Sequence, residues 1–240
     1  MLSTPQNSPD STRLEAALAA LRRRIAAAAE AAGRSVDDIT LLAVSKGHPA
    51  PAVAAARALG LADFGENYVD EAVEKIRALG EPKDAPVRWH FIGRVQANKT
   101  RLIATHFDWV HGVDRLKVAE RLSAQRGHYQ PPLNVCLQVN VAGEASKGGV
   151  APEEAASLAA EVAQLPRLTL RGLMCMLPFG ASAAEQAAGF GALRRLLETI
   201  NRAGGAVDTL SMGMSADLEA AVEQGSTLLR IGTALFGERG

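Results

Sequence analysis

Residues 39–47 read Ile39-Thr40-Leu41-Leu42-Ala43-Val44-Ser45-Lys46-Gly47, and this stretch decides how the rest of the chain is interpreted. Its apolar, partly β-branched run predicts a strand buried on both faces, as in parallel sheets. Gly47 and Pro49 end the strand, and Lys46 lies at its C-terminal edge, where α/β sheets bind ligands. A partly desolvated lysine there exposes a neutral amine for Schiff-base chemistry. The alternative is an ordinary surface lysine just past a strand.

Composition and charge narrow the class of protein. The chain has 240 residues, 48% of them hydrophobic, which suits one large α/β domain. Lys plus Arg and Asp plus Glu number 26 each, so we expect neither nucleic acid nor an anionic membrane as a partner. Cys136 and Cys175 lie in apolar segments, as buried thiols in a reducing compartment do. Because the polar N-terminus lacks the apolar core of a signal peptide, we expect a cytoplasmic protein. We also expect a monomer.

From residue 39 onward, short apolar runs alternate with segments of helical period. Strands are predicted at 39–45, 61–65, 88–92, 108–113, 133–141, 168–175, 207–212 and 227–231. Helices are predicted near 50–59, 68–79, 95–104, 115–126, 152–164, 183–203 and 216–224, after a first amphipathic helix that begins near Ser11. Strict alternation favours parallel pairing, and about eight strands predict an α/β fold of the (β/α)8 TIM-barrel type with an extra N-terminal helix.

An open doubly wound sheet is the alternative to the barrel. It is disfavoured because no Gly-x-Gly-x-x-Gly turn follows the first strand. No linker divides the chain, so we expect residues 11–240 to form a single domain after a flexible segment, residues 1–10.

Polar residues follow the predicted second and seventh strands, which would end at the same mouth of a barrel as Lys46. Asn67, in Phe64-Gly65-Glu66-Asn67-Tyr68, has an amide that can bind a polar ring substituent, or can cap the next helix. The segment Leu210-Ser211-Met212-Gly213-Met214-Ser215-Ala216-Asp217 leads into a helix whose first turn is expected near Ser215. Its hydroxyl and free N–H groups suit an anion, although an ordinary N-cap is the alternative.

The last predicted strand contains an arginine. A buried Arg230 is costly unless it faces a ligand or, alternatively, pairs with a glutamate at the end of the barrel. Gly232 lets a ligand approach the backbone, and Thr233 adds an N–H group and a hydroxyl. Together these strand ends describe a pyridoxal 5′-phosphate site, with a Schiff base to Lys46 and Arg230 facing the ring nitrogen.

Two other features are assigned no role in this site. His90 is interpreted as a core histidine whose polar tip is hydrogen-bonded. The segment 143–149 lacks the spacing of a phosphate-binding loop, and the five histidines and two cysteines lack zinc-ligand spacing, so no metal site is expected.

The chain resembles the pyridoxal phosphate homeostasis proteins, whose fold is similar to the N-terminal barrel of alanine racemase. The motifs that carry the resemblance, in order, are 41–46, 64–68, 89–93 with Asn98-Lys99, 144–149, 210–221 and 230–237. The resemblance implies a cofactor carrier or regulator that uses pyridoxal phosphate, with apo-enzymes that use this cofactor as further partners. The cofactor-binding residues on this interpretation are Lys46, Asn67, Met212, Ser215, Arg230, Gly232 and Thr233, and none is catalytic. Gly47 stands where a threonine is common in the family.

The choice between carrier and enzyme depends on Arg230 and on a second base. An arginine leaves the pyridine ring unprotonated, which makes it a poorer electron sink than the pyridinium that a carboxylate stabilises. In alanine racemase the second base is a tyrosine from another domain, and this chain ends at Gly240, soon after the last predicted strand. We therefore favour a carrier. The alternatives are an amino-acid racemase using Tyr68 or water as second base, and a Schiff-base aldolase.

Overall fold

The computed structural model describes residues 9–80, 87–143 and 148–238. Residues 1–8 of the expected flexible segment, and residues 144–147 of the motif at 144–149, lie outside the described residues. Eight strands are present in these ranges: β1 (Thr40–Val44), β2 (Asp63–Glu66), β3 (Arg88–Phe91), β4 (Trp109–Val113), β5 (Leu133–Gln138), β6 (Leu168–Met174), β7 (Thr209–Ser211) and β8 (Leu228–Ile231).

Helices precede, separate and follow the strands. They are α1 (Pro9–Ala31), α2 (Ala50–Ala58), α3 (Val69–Leu79), α4 (Thr100–His106), α5 (Leu116–Gln125), α6 (Pro152–Val162), α7 (Ala183–Arg202), α8 (Leu218–Glu223) and α9 (Thr233–Phe236), with a short 3-10 helix at Val36–Asp38. None of the helices within the described ranges has both the length and the apolar character that a membrane span requires.

The eight strands form a closed parallel barrel in the order β1 to β8. Strand β8 closes it by pairing with β1, with Thr40 opposite Leu228 and Ala43 opposite Ile231. The prediction of a (β/α)8 barrel with an extra N-terminal helix is confirmed. The open doubly wound alternative is excluded, because a closed barrel has no sheet edge.

Three predicted helix starts are wrong. The helix predicted at 95–104 begins only at Thr100, because buried Val95 (2% exposed) packs into the core from an irregular segment after β3. The helix predicted at 216–224 begins at Leu218. Similarly, the first helix begins at Pro9, two residues before the predicted start near Ser11. In each case apolar spacing indicated the helix, but it could not locate the first turn.

The N-terminal helix α1 packs against the barrel through its apolar stripe. Leu14, Leu18, Leu21 and Ile25 are buried, and the helix contacts α8 and α9, which follow the last two strands. Arg24 on this helix donates from Nε and Nη2 to the Glu219 carboxylate of α8, at 2.9 and 3.0 Å. The helix therefore supports the loops after β7 and β8 from outside the barrel.

The barrel strands carry buried side chains of two kinds, apolar and polar. Leu42, Phe64, Leu133 and Leu229 are fully buried apolar residues of the strands. Among them lie buried polar groups from five strands: Glu66, His90, His111, Ser211 and Arg230. Since burying a polar group without a partner is costly, each of these needs a hydrogen bond or a ligand.

Candidate functional site

A cavity of about 310 Å³ opens at the C-terminal mouth of the barrel. Six of the seven residues predicted to bind the cofactor line it: Lys46, Asn67, Ser215, Arg230, Gly232 and Thr233. The seventh, Met212, is fully buried in the hydrophobic core and is not among the lining residues of this cavity. The volume lies at the lower end of the range for small-molecule sites, roughly 300–1,000 Å³.

Lys46 is half-buried in the turn that follows β1. Its two neighbours, Ser45 and Gly47, are hydrogen-bonded to charged side chains of α3. Lys75 Nζ on α3 donates to the Ser45 carbonyl oxygen at 2.8 Å, and the Ser45 hydroxyl donates to Glu66 Oε1 at 2.6 Å. The Gly47 N–H donates to Glu71 Oε1 at 2.7 Å. Lys75 also binds Glu66 and Glu71, at 2.8 and 2.6 Å, which joins both contacts into one cluster.

Gly47 has a φ of +75°, in the left-handed region that favours glycine. The conformation lets its N–H reach Glu71 while the chain turns sharply away from the strand. The position after Lys46 is therefore set by backbone geometry, and a side chain there would be strained.

Glu66 carries the negative charge of the cluster in a fully buried position. Burial raises the pKa of Glu66, and hydrogen bonds from Lys75 and Ser45 oppose this effect. Its second oxygen, Oε2, is buried without a hydrogen-bond partner among the described residues. The glutamate supports the Lys46 turn with one oxygen only.

The loops after β7 and β8 meet at Ser215. The Ser215 hydroxyl accepts a long hydrogen bond from the Ala234 N–H at 3.4 Å, and its carbonyl oxygen accepts one from Arg24 Nη2 at 3.2 Å. The alternative of an ordinary N-cap at Ser215 is wrong, because Asp217 occupies the N-cap of α8 and its Oδ1 accepts from the Met214 N–H at 2.5 Å. The Ser215 hydroxyl consequently borders the cavity beside Gly232 and Thr233.

Gly213 sets the direction of the first of these loops. Its φ is +94°, and a Cβ atom there would lie 2.5 Å from the Ala221 Cβ. The Gly213 carbonyl oxygen accepts from the Arg230 N–H at 3.0 Å, which ties the β7 loop to β8. Only glycine fits this close approach.

Arg230 is buried in β8, where its guanidinium contacts only neutral oxygens. Nη1 donates to the Ser211 carbonyl at 2.5 Å and hydroxyl at 2.8 Å, and Nη2 donates to the Cys175 carbonyl at 2.8 Å. The alternative of an ion pair with a glutamate is wrong, since no carboxylate binds this side chain in the described part of the chain. Burial lowers the pKa of Arg230, and the charge of Asp217 opposes this effect.

Asn67 follows β2 and lines the cavity. Its Oδ1 is buried and lacks a hydrogen-bond partner among the described residues. The chain after β3 passes close to it, because a Cβ at Gly93 would lie 2.3 Å from the Asn67 carbonyl oxygen. An orphaned buried polar atom beside Lys46 is what a site for a polar ligand would contain.

Tyr68 does not line the cavity that contains Lys46. It is 59% exposed and lines a separate, smaller cavity of about 270 Å³ with Asn67, Gly93 and Arg94. This placement separates the only tyrosine near the site from the cavity that Lys46 and Arg230 share.

A larger cavity, about 710 Å³, lies at the opposite, N-terminal mouth. Four of its charged side chains form two ion pairs: Arg88 binds Asp63 at 2.6 Å and Arg171 binds Asp208 at 2.7 Å. Size therefore does not identify the site. The C-terminal cavity is the better candidate because it holds a lysine and a buried arginine that has no carboxylate partner.

The sequence did not reveal several residues of the cavity. His48, two residues after Lys46, lines it with its ring 5.1 Å from that of Phe236. Met176, Phe179 and Met214 form an exposed apolar rim, and Phe179 is fully exposed. The only signal was the position of these residues in loops after strands β1, β6 and β7.

The barrel with a lysine after its first strand belongs to a known class of domain. The sequence profile described as alanine racemase, N-terminal domain, matches residues 16–240. Curated relatives narrow this class. A protein from Pseudomonas aeruginosa, named pyridoxal phosphate homeostasis protein, is 58% identical over 222 residues, covering 92% of this chain and 94% of its own length.

A protein of the same name from Escherichia coli is 50% identical over 230 residues, covering 92% of this chain and 95% of its own length. The chain belongs to the pyridoxal phosphate homeostasis protein family. Among solved structures, PipY of Synechococcus elongatus with PLP bound is 35% identical with a TM-score of 0.80, over 93% of this chain and 100% of PipY. PipY without PLP is 37% identical, with a TM-score of 0.83 over the same shares of the two chains.

Proposed function

We propose that this protein binds pyridoxal 5′-phosphate in the C-terminal cavity and serves as a carrier in cytoplasmic cofactor homeostasis. The observation that carries the proposal is that Lys46, Ser215 and Arg230, from three separate strand ends, line one cavity of about 310 Å³. The name of the relatives and the PLP-bound structure of PipY support the same cofactor.

Bound pyridoxal phosphate supplies an aldehyde that condenses with a primary amine, forming a C=N bond and releasing one water. Lys46 is the amine that we assign to this bond. It stands in a turn held by Ser45 and Gly47 on either side, so its direction is set before the cofactor arrives. Preorganisation of this kind lowers the entropic cost of binding.

The phosphate is assigned to the loops after β7 and β8. The Ser215 hydroxyl, the Gly232 backbone and the Thr233 hydroxyl line this side of the cavity, and Arg24 approaches from outside through the Ser215 carbonyl. Loops after the seventh and eighth strands of such barrels frequently bind phosphate. Hydroxyl and N–H donors to a phosphate dianion form charge-assisted hydrogen bonds, which are the strong class.

The ring is assigned to Arg230 and Asn67. Arg230 has five N–H groups, of which three are used by Ser211 and Cys175, so two remain for a ligand. Facing the ring nitrogen, an arginine donates and leaves the pyridine unprotonated. Asn67 lines the same cavity, and its side-chain amide is the second polar group that we assign to the ring.

A carrier fits this arrangement better than a racemase. An unprotonated ring stabilises a carbanion poorly, and Tyr68 lines a different cavity from Lys46. The apolar rim of Met176, Phe179 and Met214 is exposed, which leaves the mouth open to an incoming amine. We propose that apo-enzymes that use pyridoxal phosphate receive the cofactor, and that the carrier acts as a monomer.

Borohydride reduction of the purified, cofactor-loaded protein tests the covalent assignment. Hydride adds to the C=N carbon and fixes the cofactor to its lysine, and we expect the adduct on the peptide that contains Lys46. Lys46→Ala should lose the adduct and keep phosphate-dependent, non-covalent binding. Lys117→Ala, at an exposed lysine of α5, is the control and should be trapped like the parent. Recovery of the adduct mainly on another lysine would contradict the assignment.

Carrier and racemase are separated by two measurements on the same sample. We expect transfer of the cofactor to an apo-enzyme and no multiple-turnover exchange of the α-proton of alanine in deuterated water. Exchange with racemisation at about 1 per second or faster, the ordinary enzyme range, would favour the racemase. Arg230→Glu places a carboxylate where it can accept a hydrogen bond from a protonated ring nitrogen. This variant should raise any residual exchange of the α-proton above that of the parent.

A further inference from the structure

A continuous line of hydrogen bonds crosses the barrel from Asp63 at the N-terminal mouth to Arg230 at the cavity. Asp63 Oδ1 lies 3.0 Å from His90 Nε2, and His90 Nδ1 lies 3.0 Å from His111 Nε2. His111 Nδ1 lies 2.8 Å from the Ser211 hydroxyl, which accepts from Arg230 Nη1 at 2.8 Å. His90, His111, Ser211 and Arg230 are each at most 5% exposed.

The first link fixes the direction of all the others. Burial raises the pKa of Asp63, but hydrogen bonds from His90 and from Arg88 outweigh it and lower the pKa to about 2. An ionised carboxylate only accepts, so His90 Nε2 must carry a proton and donate to Asp63. Burial lowers the pKa of both histidines, so each ring is neutral and has one bare nitrogen.

The remaining tautomers follow step by step. His90 Nδ1 is bare and accepts, so His111 Nε2 carries a proton and donates to it. His111 Nδ1 is then bare and accepts from the Ser211 hydroxyl proton. The Ser211 oxygen is left as an acceptor for Arg230. Each group donates toward Asp63, with a positive charge at one end and a negative charge at the other.

We propose that His90, His111 and Ser211 are positioning residues that hold Arg230 in one orientation, with its two remaining N–H groups directed to the ring of the bound cofactor. None of the three residues lines the C-terminal cavity, so they act on a ligand there only through Arg230. The reverse direction would leave His90 Nε2 bare beside the ionised Asp63 carboxylate, with two acceptors facing each other. The part of the proposal that concerns the ring rests on the proposed function, whereas the chain of tautomers does not.

The tautomers are tested on the cofactor-free protein by nitrogen-15 NMR of its histidine rings. Protonated and bare ring nitrogens have well separated chemical shifts, and variants of His90 and His111 assign the signals. We expect both residues to be neutral and protonated at Nε2 at pH 7. A charged ring, or His111 protonated at Nδ1, would overturn the proposal whether or not the protein binds pyridoxal phosphate.

The effect on the cofactor is tested with two ligands: pyridoxal phosphate and its analogue in which carbon replaces the ring nitrogen. Ser211→Ala removes the link between His111 and Arg230, and we expect about 10-fold weaker binding of pyridoxal phosphate, the scale of losing one hydrogen bond to a charged group. The analogue should bind the parent and the variant equally. Ser211→Thr keeps the hydroxyl and should restore the preference for pyridoxal phosphate over the analogue.

Ser123→Ala is the matched control. Ser123 is also a buried serine, but it donates to the Pro166 carbonyl and takes no part in the line of hydrogen bonds from Asp63 to Arg230. It should leave both affinities unchanged. Equal loss of both ligands in Ser211→Ala, or no loss of either, would overturn the positioning role. If the parent protein binds neither ligand, the proposed function fails while the NMR result still decides whether the chain of tautomers exists.

Discussion

Asp63 at the N-terminal mouth of the barrel and Arg230 at the C-terminal mouth are buried charges with opposite surroundings. At the N-terminal mouth, Arg88 donates through Nε and Nη2 to both oxygens of Asp63, each at 2.6 Å. Asp63 in turn accepts from His90, so its charge is fully compensated. At the C-terminal mouth, neither a carboxylate for Arg230 nor a hydrogen-bond partner for Asn67 Oδ1 is present among the described residues.

This difference indicates which mouth stabilises the fold and which one binds a ligand. Paired charges and hydrogen bonds at one end cost little to bury, whereas an uncompensated cation and an orphaned acceptor at the other end lower stability. Proteins commonly retain such costs where binding requires them. Substitutions at the N-terminal mouth should therefore lower stability more than they weaken cofactor binding. Substitutions at the C-terminal mouth should weaken cofactor binding more than they lower stability.

The largest effect is expected from Asp63→Ala. It leaves the His90 N–H and the Arg88 guanidinium without their partner, and we expect the free energy of unfolding to fall by about 3 kcal/mol. Arg230→Gln removes an uncompensated buried charge, so it should cost less than half as much while weakening pyridoxal phosphate binding. Urea unfolding of both variants measures the contrast. Equal losses of stability would mean that the two mouths do not differ in the way described.

Acidification should lower the free energy of unfolding through His90 and His111, the two histidines in the buried line of hydrogen bonds. Because burial lowers the pKa of His90 and His111 below 6.5, the unfolded chain binds protons that the native state does not as the pH falls below that value. Stability is then lost by up to about 1.4 kcal/mol per pH unit for each histidine. Asp63, whose pKa is lowered from 3.8 to about 2, adds a further loss only below pH 3.8.

Unfolding between pH 7 and 5 in His111→Gln checks this prediction. The variant should show a shallower dependence on pH than the parent, whereas His128→Gln, at an exposed histidine, should match the parent. The raised pKa of Glu66 acts with the opposite sign, since the native state then takes up the proton first. The difference between parent and variant, which cancels the Glu66 contribution, is therefore the quantity to compare. Identical slopes would contradict neutral, buried histidines.

The barrel and most of its candidate site were predictable from local sequence. Lys46, Asn67, Ser215 and Gly232 each follow a recognisable strand, and parallel strands bring their C-terminal ends to one mouth. The resemblance then assigned roles that spacing alone left open. His90 was correctly interpreted as a core histidine with a hydrogen-bonded tip.

The contacts that hold the site together were not predictable. His111 binds Ser211 across 100 positions of sequence, and Arg24 reaches Ser215 across 191. Nothing near Arg24 in the sequence indicates a partner for it. Similarly, the neutral partners of Arg230 depend on which carbonyl groups of β6 and β7 face inward, and this orientation follows from the register of the closed barrel.

Gly47→Ala tests whether the left-handed turn at the C-terminal mouth matters for binding. A non-glycine residue at its φ of +75° should lower the free energy of unfolding by about 1 kcal/mol. Gly33→Ala is the control, because Gly33 has a φ of +65° and open space around it at the end of α1. We expect similar losses of stability, with faster release of the cofactor only in Gly47→Ala. Equal release rates would show that the Lys46 turn needs no support from Gly47.

The smallest effect on stability is expected from Arg24→Ala, at the outside of the phosphate loops. Its ion pair with Glu219 is about half exposed, so its removal should change stability by less than about 1 kcal/mol. The same guanidinium also holds the Ser215 carbonyl, so the loop that carries the Ser215 hydroxyl should become less ordered. Binding of pyridoxal phosphate should then weaken by about 3- to 10-fold, the range of one partly exposed hydrogen bond, while binding of phosphate-free pyridoxal stays the same. Arg23→Ala, one position away on the exposed side of α1, should change neither affinity. Equal weakening for both ligands would mean that Arg24 supports the cavity as a whole, and it would remove the link between the N-terminal helix and the phosphate.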